Sequence, residues 1–430
     1  MISRNEYIEK IKKAMWDNNV KVITGIRRCG KSTLLFDLFG DYLINTLKVN
    51  PNSLITIKLD EDENIRFRNP LLLSKHLKGL INDNNKKYYV FIDEIQLSKP
   101  KTDRSSGIKV SIFDVLNGLN NKKNVDVYVT GSNSKMLSKD IVTEFRGRTT
   151  QIRVHPFSFK EYYAYRGGDE NACLNEYLLL GGMPELINKV DEDDKKQYLE
   201  GLFIETYIKD IVERKHIDRE DILGDILNYL ASQTSSLTNV KNVVDALCSK
   251  RNEKINYEMV SNYINYLMDA FLISEAKRYD VKGKSYFDYP SKFYFEDVGL
   301  RNARLNYRQL DTGHLMENVI YNELIRRGYS VDVGAVPIRD KNGKEFIEID
   351  FIVNKLDQKI YIQSALRIDG IDKLESETKP LKLTNDNFKK ILIRNDIVSN
   401  YYDEKGIYNC RLIDFLLGKV TIWWSGEITY

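Results

Sequence analysis

Gly25-Ile26-Arg27-Arg28-Cys29-Gly30-Lys31-Ser32 decides how this chain is read. The octapeptide fits the pattern Gly-x4-Gly-Lys-Ser/Thr. It follows the apolar run 20–24, which reads as a strand. It opens the stretch 31–39, in which Leu34, Leu35, Leu38 and Phe39 recur at helical spacing. A strand before and a helix after is the context that gives such a match its meaning. Gly25 and Gly30 let the backbone curl so that successive N–H groups face a phosphate. The start of the helix adds a partial positive charge. Lys31 then reaches the β- and γ-phosphates of a nucleotide, the Ser32 hydroxyl ligates Mg²⁺, and Thr33 touches the α-phosphate. Arg28 and Cys29 lie inside the loop and count among its nucleotide-binding positions. ATP with Mg²⁺ is the expected ligand.

Outward from the loop, apolar runs at 54–59, 88–92 and 125–130 read as further strands. Helical patterns at 70–81 and 110–119 lie between them, and 98–107 is polar and reads as a loop. This alternation predicts an α/β domain, a parallel sheet with helices on both faces. The strand at 88–92 ends in Asp93-Glu94, the second acidic site that a phosphate loop needs. Asp93 is expected to hold Mg²⁺ and Glu94 to polarise the attacking water. Gln96, just beyond, is a weaker candidate for sensing the γ-phosphate. The strand at 125–130 runs into Gly131-Ser132-Asn133. Ser132 or Asn133 either contacts the γ-phosphate and its attacking water, with Asn133 the catalytic candidate, or simply caps the helix that follows. Arg146-Gly147-Arg148 offers a guanidinium for transition-state charge, within the chain or toward a neighbouring subunit, with Arg148 preferred, against surface arginines at a turn.

These elements occur in a fixed order together with Pro156-Phe157-Ser158-Phe159 and Gly181-Gly182-Met183-Pro184-Glu185. The set resembles the prokaryotic AAA-like ATPases that carry a C-terminal domain of unknown function, relatives of the archaeal ATPase group near the STAND branch. The resemblance spans essentially the whole chain. It implies an AAA+-like P-loop core (1–158), a helical lid (159–215), a winged-helix-like segment (216–305) and a restriction-endonuclease-like tail (306–430). Ser132 or Asn133 would then occupy the position called sensor 1. Homo-oligomeric assembly is compatible with the resemblance, as is a monomer.

Helical patterns at 221–233, 240–249 and 256–268, followed by strands at 272–276 and 292–295, make up the winged-helix expectation. The third helix of such a module often enters the DNA major groove. Here it holds no Lys or Arg, but Tyr257, Tyr263 and Tyr266, with Asn262 and Asn265. Cations flank it instead: Lys250, Arg251 and Lys254 before, Lys277, Arg278, Lys282 and Lys284 in the wing. DNA contact and packing against a protein both remain open. The tail resembles the PD-(D/E)xK nucleases, with Glu317 on a helix and Asp350 on a strand. Gln363 and Ala365 stand where that family has its second acid and its lysine, so an inactive domain is expected. Lys373 is the nearest substitute.

The 430 residues suggest several domains. With 42% hydrophobic and 30% charged residues and a net charge of +3, no whole-chain basicity argues for nucleic acid. The four cysteines form no CxxC pair, which fits a reducing cytoplasm and excludes a disulfide framework. Residues 1–17 read as an amphipathic helix without a signal-peptide core, and no apolar run reaches membrane length. Three readings follow. The first is an ATPase that works as a nucleotide-driven switch on DNA or a protein. The second is an ATP-gated nuclease, and the third a scaffold that holds nucleotide without hydrolysing it.

Overall fold

In the computed structural model, residues 2–131, 145, 147–286, 290–340, 343–355 and 358–422 are described. The chain forms two compact units. The first is Met1–Pro156 with Asp269–Phe271, and the second is Phe157–Met268 with Leu272–Tyr430.

The first unit is built on a five-stranded sheet of β1 (Val20–Thr24), β2 (Leu54–Lys58), β3 (Tyr88–Asp93), β4 (Val125–Gly131) and β5 (Thr149–Arg153), in the order β2-β3-β4-β1-β5. Every pairing is parallel. β1, β3 and β4 are buried along their whole length, as strands covered on both faces must be. Val22, Val90, Val127 and Val129 pack with Leu73 and Leu77 of α2 (Pro70–Leu80) and Leu116 of α3 (Ile112–Asn120). Ser111 and Asp114 close a capping box that starts α3. The helix after the phosphate loop is continuous over residues 31–46 and winds in wide π-type turns at Thr33–Phe39 and Tyr42–Thr46. Within the segment read as a loop, Lys101–Thr102 pairs with Lys109–Val110 in a small hairpin. At the N-terminus, α1 covers Asn5–Ala14 and buries Tyr7, Ile11 and Ala14.

In the second unit, α4 (Phe159–Arg166) and α5 (Glu170–Leu180) lead to the Gly181-Gly182 turn. This motif exists for close approach. A Cβ on Gly182 would stand 2.1 Å from the Phe157 carbonyl oxygen, and one on Gly181 2.1 Å from Asp297 Oδ1. The Asp297 carboxylate accepts the Gly182 N–H at 2.7 Å.

Next, α6 (Glu220–Ser232), β6 (Leu237–Thr238), α7 (Val240–Arg251), α8 (Tyr257–Asp269), β7 (Ile273–Ala276) and β10 (Ser291–Phe295) form three helices on a small antiparallel sheet ordered β6-β10-β7. Between β7 and β10 the chain makes β8 (Arg278–Asp280) and β9 (Ser285–Tyr286), which leave the small sheet and become the edge of a large one.

That large sheet adds β11 (Ser330–Asp340), β12 (Gly343–Lys355), β13 (Gln358–Ala365), β14 (Lys389–Arg394), β15 (Tyr401–Tyr402) and β16 (Tyr408–Arg411), ordered β9-β8-β11-β12-β13-β14-β16-β15. Ile360, Ile362, Ile391 and Ile393 enter one core with α9 (Thr312–Arg326), while Tyr361, Leu392 and Ala365 enter another with Leu381 of α10 (Ile371–Lys382). This alternation at period two is what a sheet covered on both faces requires. Among the described residues no helix is long and apolar enough to cross a membrane.

Candidate nucleotide site

The loop leaves β1 at Thr24 and turns at once. Gly25 has φ +146°, and a Cβ there would stand 2.0 Å from the Val154 carbonyl oxygen. Arg28 (φ 60°) and Gly30 (φ 92°) also take positive φ. The arginine side chain is exposed and the Cys29 side chain buried. Lys31 is 4% exposed and folds back along the loop. Its Nζ donates to the carbonyls of Gly25 at 3.1 Å and Ile26 at 3.0 Å. Thr33 is exposed at the start of the helix.

Because β4 lies between β1 and β3, the loop and the end of β3 flank the same C-terminal edge of the sheet. Parallel α/β sheets place their ligands at this edge. Asp93, 2% exposed, sits there. Burial pushes its carboxyl above the ordinary aspartate range. Hydrogen bonds from Thr130 and Ser32 pull it back, and the Glu94 and Asp60 carboxylates push it up again. The Ser32 side chain thus lies close enough to Asp93 to favour its ionised form. Glu94 adopts the left-handed backbone conformation at φ 52°. Its N–H donates to the Thr130 hydroxyl at 3.0 Å, and that hydroxyl donates in turn to Asp93. Gln96 donates its side-chain amide to the Glu94 carboxylate.

A profile described as an AAA domain matches residues 17–163, and one described as a domain of unknown function (DUF8612) matches residues 171–311. An uncharacterized protein of Haemophilus influenzae is 31% identical over 97% of this chain and 99% of its own length. The chain belongs to the same family of AAA-domain proteins. An uncharacterized protein of Methanocaldococcus jannaschii is 29% identical over 96% of this chain and 89% of its own length. Among solved structures, Cdc6p from Pyrobaculum aerophilum is similar at a TM-score of 0.28 and 10% identity, covering 74% of this chain and 94% of that one. The order of the parallel sheet and the profile match, rather than so distant a likeness, make the first unit an AAA-type P-loop ATPase domain.

The AAA domain thus brings Gly25, Gly30, Lys31, Ser32, Asp93 and Glu94 to one edge of its sheet. It does not bring Arg148 there. The Val20 N–H donates to the Arg148 carbonyl at 3.0 Å, which places Arg148 at the start of β1, opposite the loop. A five-residue strand separates the two by roughly 15 Å. The Arg148 guanidinium is spent on Asn121 at 2.9 Å. An arginine finger acting within one chain is therefore corrected to a surface contact. Ser132, Asn133 and Arg146 lie outside the described residues. Thr130 and the buried Arg4 were not singled out from sequence. Thr130 lay within sight, in the quoted strand end. Arg4 gave no signal, being one cation in a charged helix.

The second unit holds a separate cluster. Lys292 on β10 is 2% exposed. Its Nζ meets Glu317 at 2.8 Å, Glu348 at 2.6 Å and Asp350 at 3.7 Å. The Tyr294 hydroxyl adds a hydrogen bond to Glu317 at 2.7 Å, and Ser364 adds two to Asp350 at 2.8 and 2.7 Å. Burial opposes the charge on Lys292, but Glu317, Asp350 and Glu348 outweigh it and raise its pKa. Burial pushes the Glu317 carboxyl up to about 8 against the pull of Lys292. Gln363 lies beside Asp350, accepting its N–H at 3.3 Å. Lys373 pairs instead with Glu377 at 2.6 Å. No group of three or more acidic, His or Cys residues among the described ones has metal-holding geometry.

Two of the cations that precede α8 are engaged. Lys250 and Arg251 both bind Asp225, at 2.6 and 2.5 Å. Asn262, Asn265 and Tyr257 on α8 are exposed.

Proposed function

We propose that this protein binds ATP with Mg²⁺ at the edge formed by β1, β3 and β4, hydrolyses it, and uses the cycle to switch the engagement of its second unit with a protein partner. The observation that carries this is the Lys31 ammonium folded onto the Gly25 and Ile26 carbonyls of a glycine-rich loop, on the same sheet edge as the buried Asp93, whose carboxyl the nearby Ser32 side chain helps to keep ionised. A hydroxyl and a buried carboxylate are hard oxygen donors, the pair that suits Mg²⁺ with waters and phosphate completing its shell. Mg²⁺ bound there supplies charge neutralisation of the phosphates. Lys31 exchanges two neutral carbonyls for phosphate oxygens, a stronger charge-assisted pairing. Glu94 accepts the proton of the attacking water; Thr130 orients the Asp93 carboxylate and holds the Glu94 backbone, and Gln96 orients the Glu94 carboxylate. Loop residues Arg28, Cys29 and Thr33 contribute backbone or hydroxyl donors to the phosphates.

In the second unit, the run from α6 to β10 follows winged-helix order. The run α9-β11-β12-β13-α10-β14 follows the order of the PD-(D/E)xK fold. We therefore keep the boundaries 159–215, 216–305 and 306–430 for lid, winged-helix-like and nuclease-like parts. A protein partner is favoured over duplex DNA. α8 offers tyrosine and asparagine, and Lys250 and Arg251 are already neutralised. The nuclease reading loses support because Lys292 and Tyr294 already bond Glu317, and Ser364 bonds Asp350.

The test is ATP turnover by the full chain at low salt, with and without double-stranded DNA, with Lys31→Ala and Glu94→Gln as controls. Turnover lost in both variants and indifferent to DNA is expected. Stimulation by DNA moves the partner to nucleic acid. Retained nucleotide without turnover leaves the scaffold reading.

A further inference from the structure

The phosphate loop is held from behind by chain distant in sequence. The Val154 N–H donates to the Thr24 carbonyl at 2.7 Å, so the segment after β5 runs alongside the point where the loop begins. The Val154 carbonyl fills the space in which a Gly25 side chain would stand, and it accepts from Cys29 Sγ at 3.3 Å. Arg4 closes this arrangement. Its Nη1 donates to the Cys29 carbonyl at 2.9 Å and its Nη2 to the His155 carbonyl at 2.8 Å. The guanidinium lies 4.5 Å from the Tyr7 ring centroid, and the Tyr7 hydroxyl accepts the His155 N–H at 3.2 Å. Arg4 is 3% exposed.

Resting on the nucleotide-binding reading above, we propose that Arg4 is a positioning residue of the nucleotide site, fixing the loop peptide at Cys29–Gly30 and tying it to the segment that leads into the second unit. The peptide is planar and trans, so its carbonyl and N–H point in opposite directions. Pinning the Cys29 carbonyl on Arg4 therefore aims the Gly30 N–H away from Arg4, toward the side left open to a phosphate. A buried cation that reaches two carbonyls with one rigid fork holds their spacing as well as their direction. The second carbonyl belongs to His155, and Pro156 is the last residue before the second unit begins. A shift of the loop on phosphate binding is thus felt by Arg4 and passed to the connecting chain.

The experiment measures binding of a fluorescent ATP analogue, kcat and KM for the full chain, its Arg4→Lys and Arg4→Ala variants, and Lys31→Ala. Melting without nucleotide checks that each variant is folded. Charge-assisted hydrogen bonds of this kind correspond to roughly 10- to 100-fold in affinity. Arg4→Ala is expected to raise Kd and KM by about that factor with kcat changed less than about fivefold. Arg4→Lys keeps the charge but not the fork and is expected to fall between, at about three- to tenfold, with an unshifted nucleotide-free melting midpoint. Should Arg4→Ala not fold, the lysine variant alone decides. Wild-type affinity in folded Arg4→Lys and Arg4→Ala, or in Arg4→Lys where the alanine variant is unfolded, overturns the role of Arg4 while nucleotide binding lost only in Lys31→Ala upholds the site itself. A wild-type chain that binds no nucleotide overturns the nucleotide reading and this proposal with it.

Discussion

Lys31 and Lys292 are both buried lysines, and they differ in what their ammonium groups touch. Lys31 donates to two peptide carbonyls, of Gly25 and Ile26. Lys292 is set among three carboxylates, from Glu317, Glu348 and Asp350. A neutral carbonyl is a modest partner for a cation, and a phosphate displaces it with a net gain. A buried carboxylate is not given up so easily, because breaking such a pair leaves uncompensated charge at a cost of roughly 3–5 kcal/mol. The first lysine is poised for exchange with a ligand. The second is already the cation of its site and serves the packing of β10 against α9 and β12. Burial alone thus does not separate the two lysines; the charge of their acceptors does.

The comparison can be broken most decisively at Lys31. Replacing it with alanine should reduce ATP turnover on the order of 100-fold or more, as loss of a principal charge-stabilising group does, while the nucleotide-free melting midpoint moves little. A midpoint that collapses would place Lys31 in the same structural class as Lys292. Glu94→Gln should lower kcat by about 100-fold with ATP affinity preserved, because it removes the proton acceptor and leaves the phosphate contacts intact. Equal kcat in steady-state assays would remove Glu94 from the chemistry.

The converse experiment is Lys292→Met. It should cost about 3 kcal/mol of stability in denaturant unfolding and leave ATP affinity unchanged. A loss of nucleotide binding with normal stability would reverse the assignment.

The pH dependence sharpens the contrast further. Burial raises the Glu317 carboxyl from 4.5 to about 8 in the folded chain. A raised carboxyl contributes its full share of stability below about 4.5 and loses that share as pH climbs through about 8. Glu317→Gln cannot titrate, so the melting midpoint of the wild type relative to this variant should decline steadily from pH 5 to pH 8. A constant difference would show that Glu317 stays ionised throughout.

The smallest effect belongs to Lys373→Ala. An exposed ion pair with Glu377 contributes at most about 1 kcal/mol, and neither turnover nor the Lys292 cluster should respond. A large change in the melting midpoint would return Lys373 to the place in the cluster that the sequence had suggested for it.

The glycine-rich loop and the acidic strand end were legible because each is a local pattern. Gly25 to Ser32 and Asp93-Glu94 each sit at the end of a continuous apolar run, and β1, β3 and β4 are buried throughout. β5, Thr-Thr-Gln-Ile-Arg, was not read as a strand, because it is a sheet edge with only Ile152 buried. Arg148 was misplaced for a related reason. Nearness in sequence to the end of β4 says nothing about which end of the sheet the returning chain reaches. The hairpin β8–β9 was read as a free wing, whereas pairing of Arg278 with Val333 makes it the edge of the large sheet. Lys292 was read only as part of a strand, since one lysine among aromatic residues carries no pattern.

By itself, then, the sequence determined the glycine-rich loop between a strand and a helix, the acidic strand end and the α/β character of the first unit. These depend on residue type at short spacing, which the backbone converts directly into local geometry. The tertiary structure alone decided that Arg4 reaches Cys29 and His155, that Thr130 joins Asp93 to Glu94, and that Lys292 sits among Glu317, Glu348 and Asp350. Each of these joins residues from separate segments of the chain, and only the packing of those segments sets which groups share a buried volume.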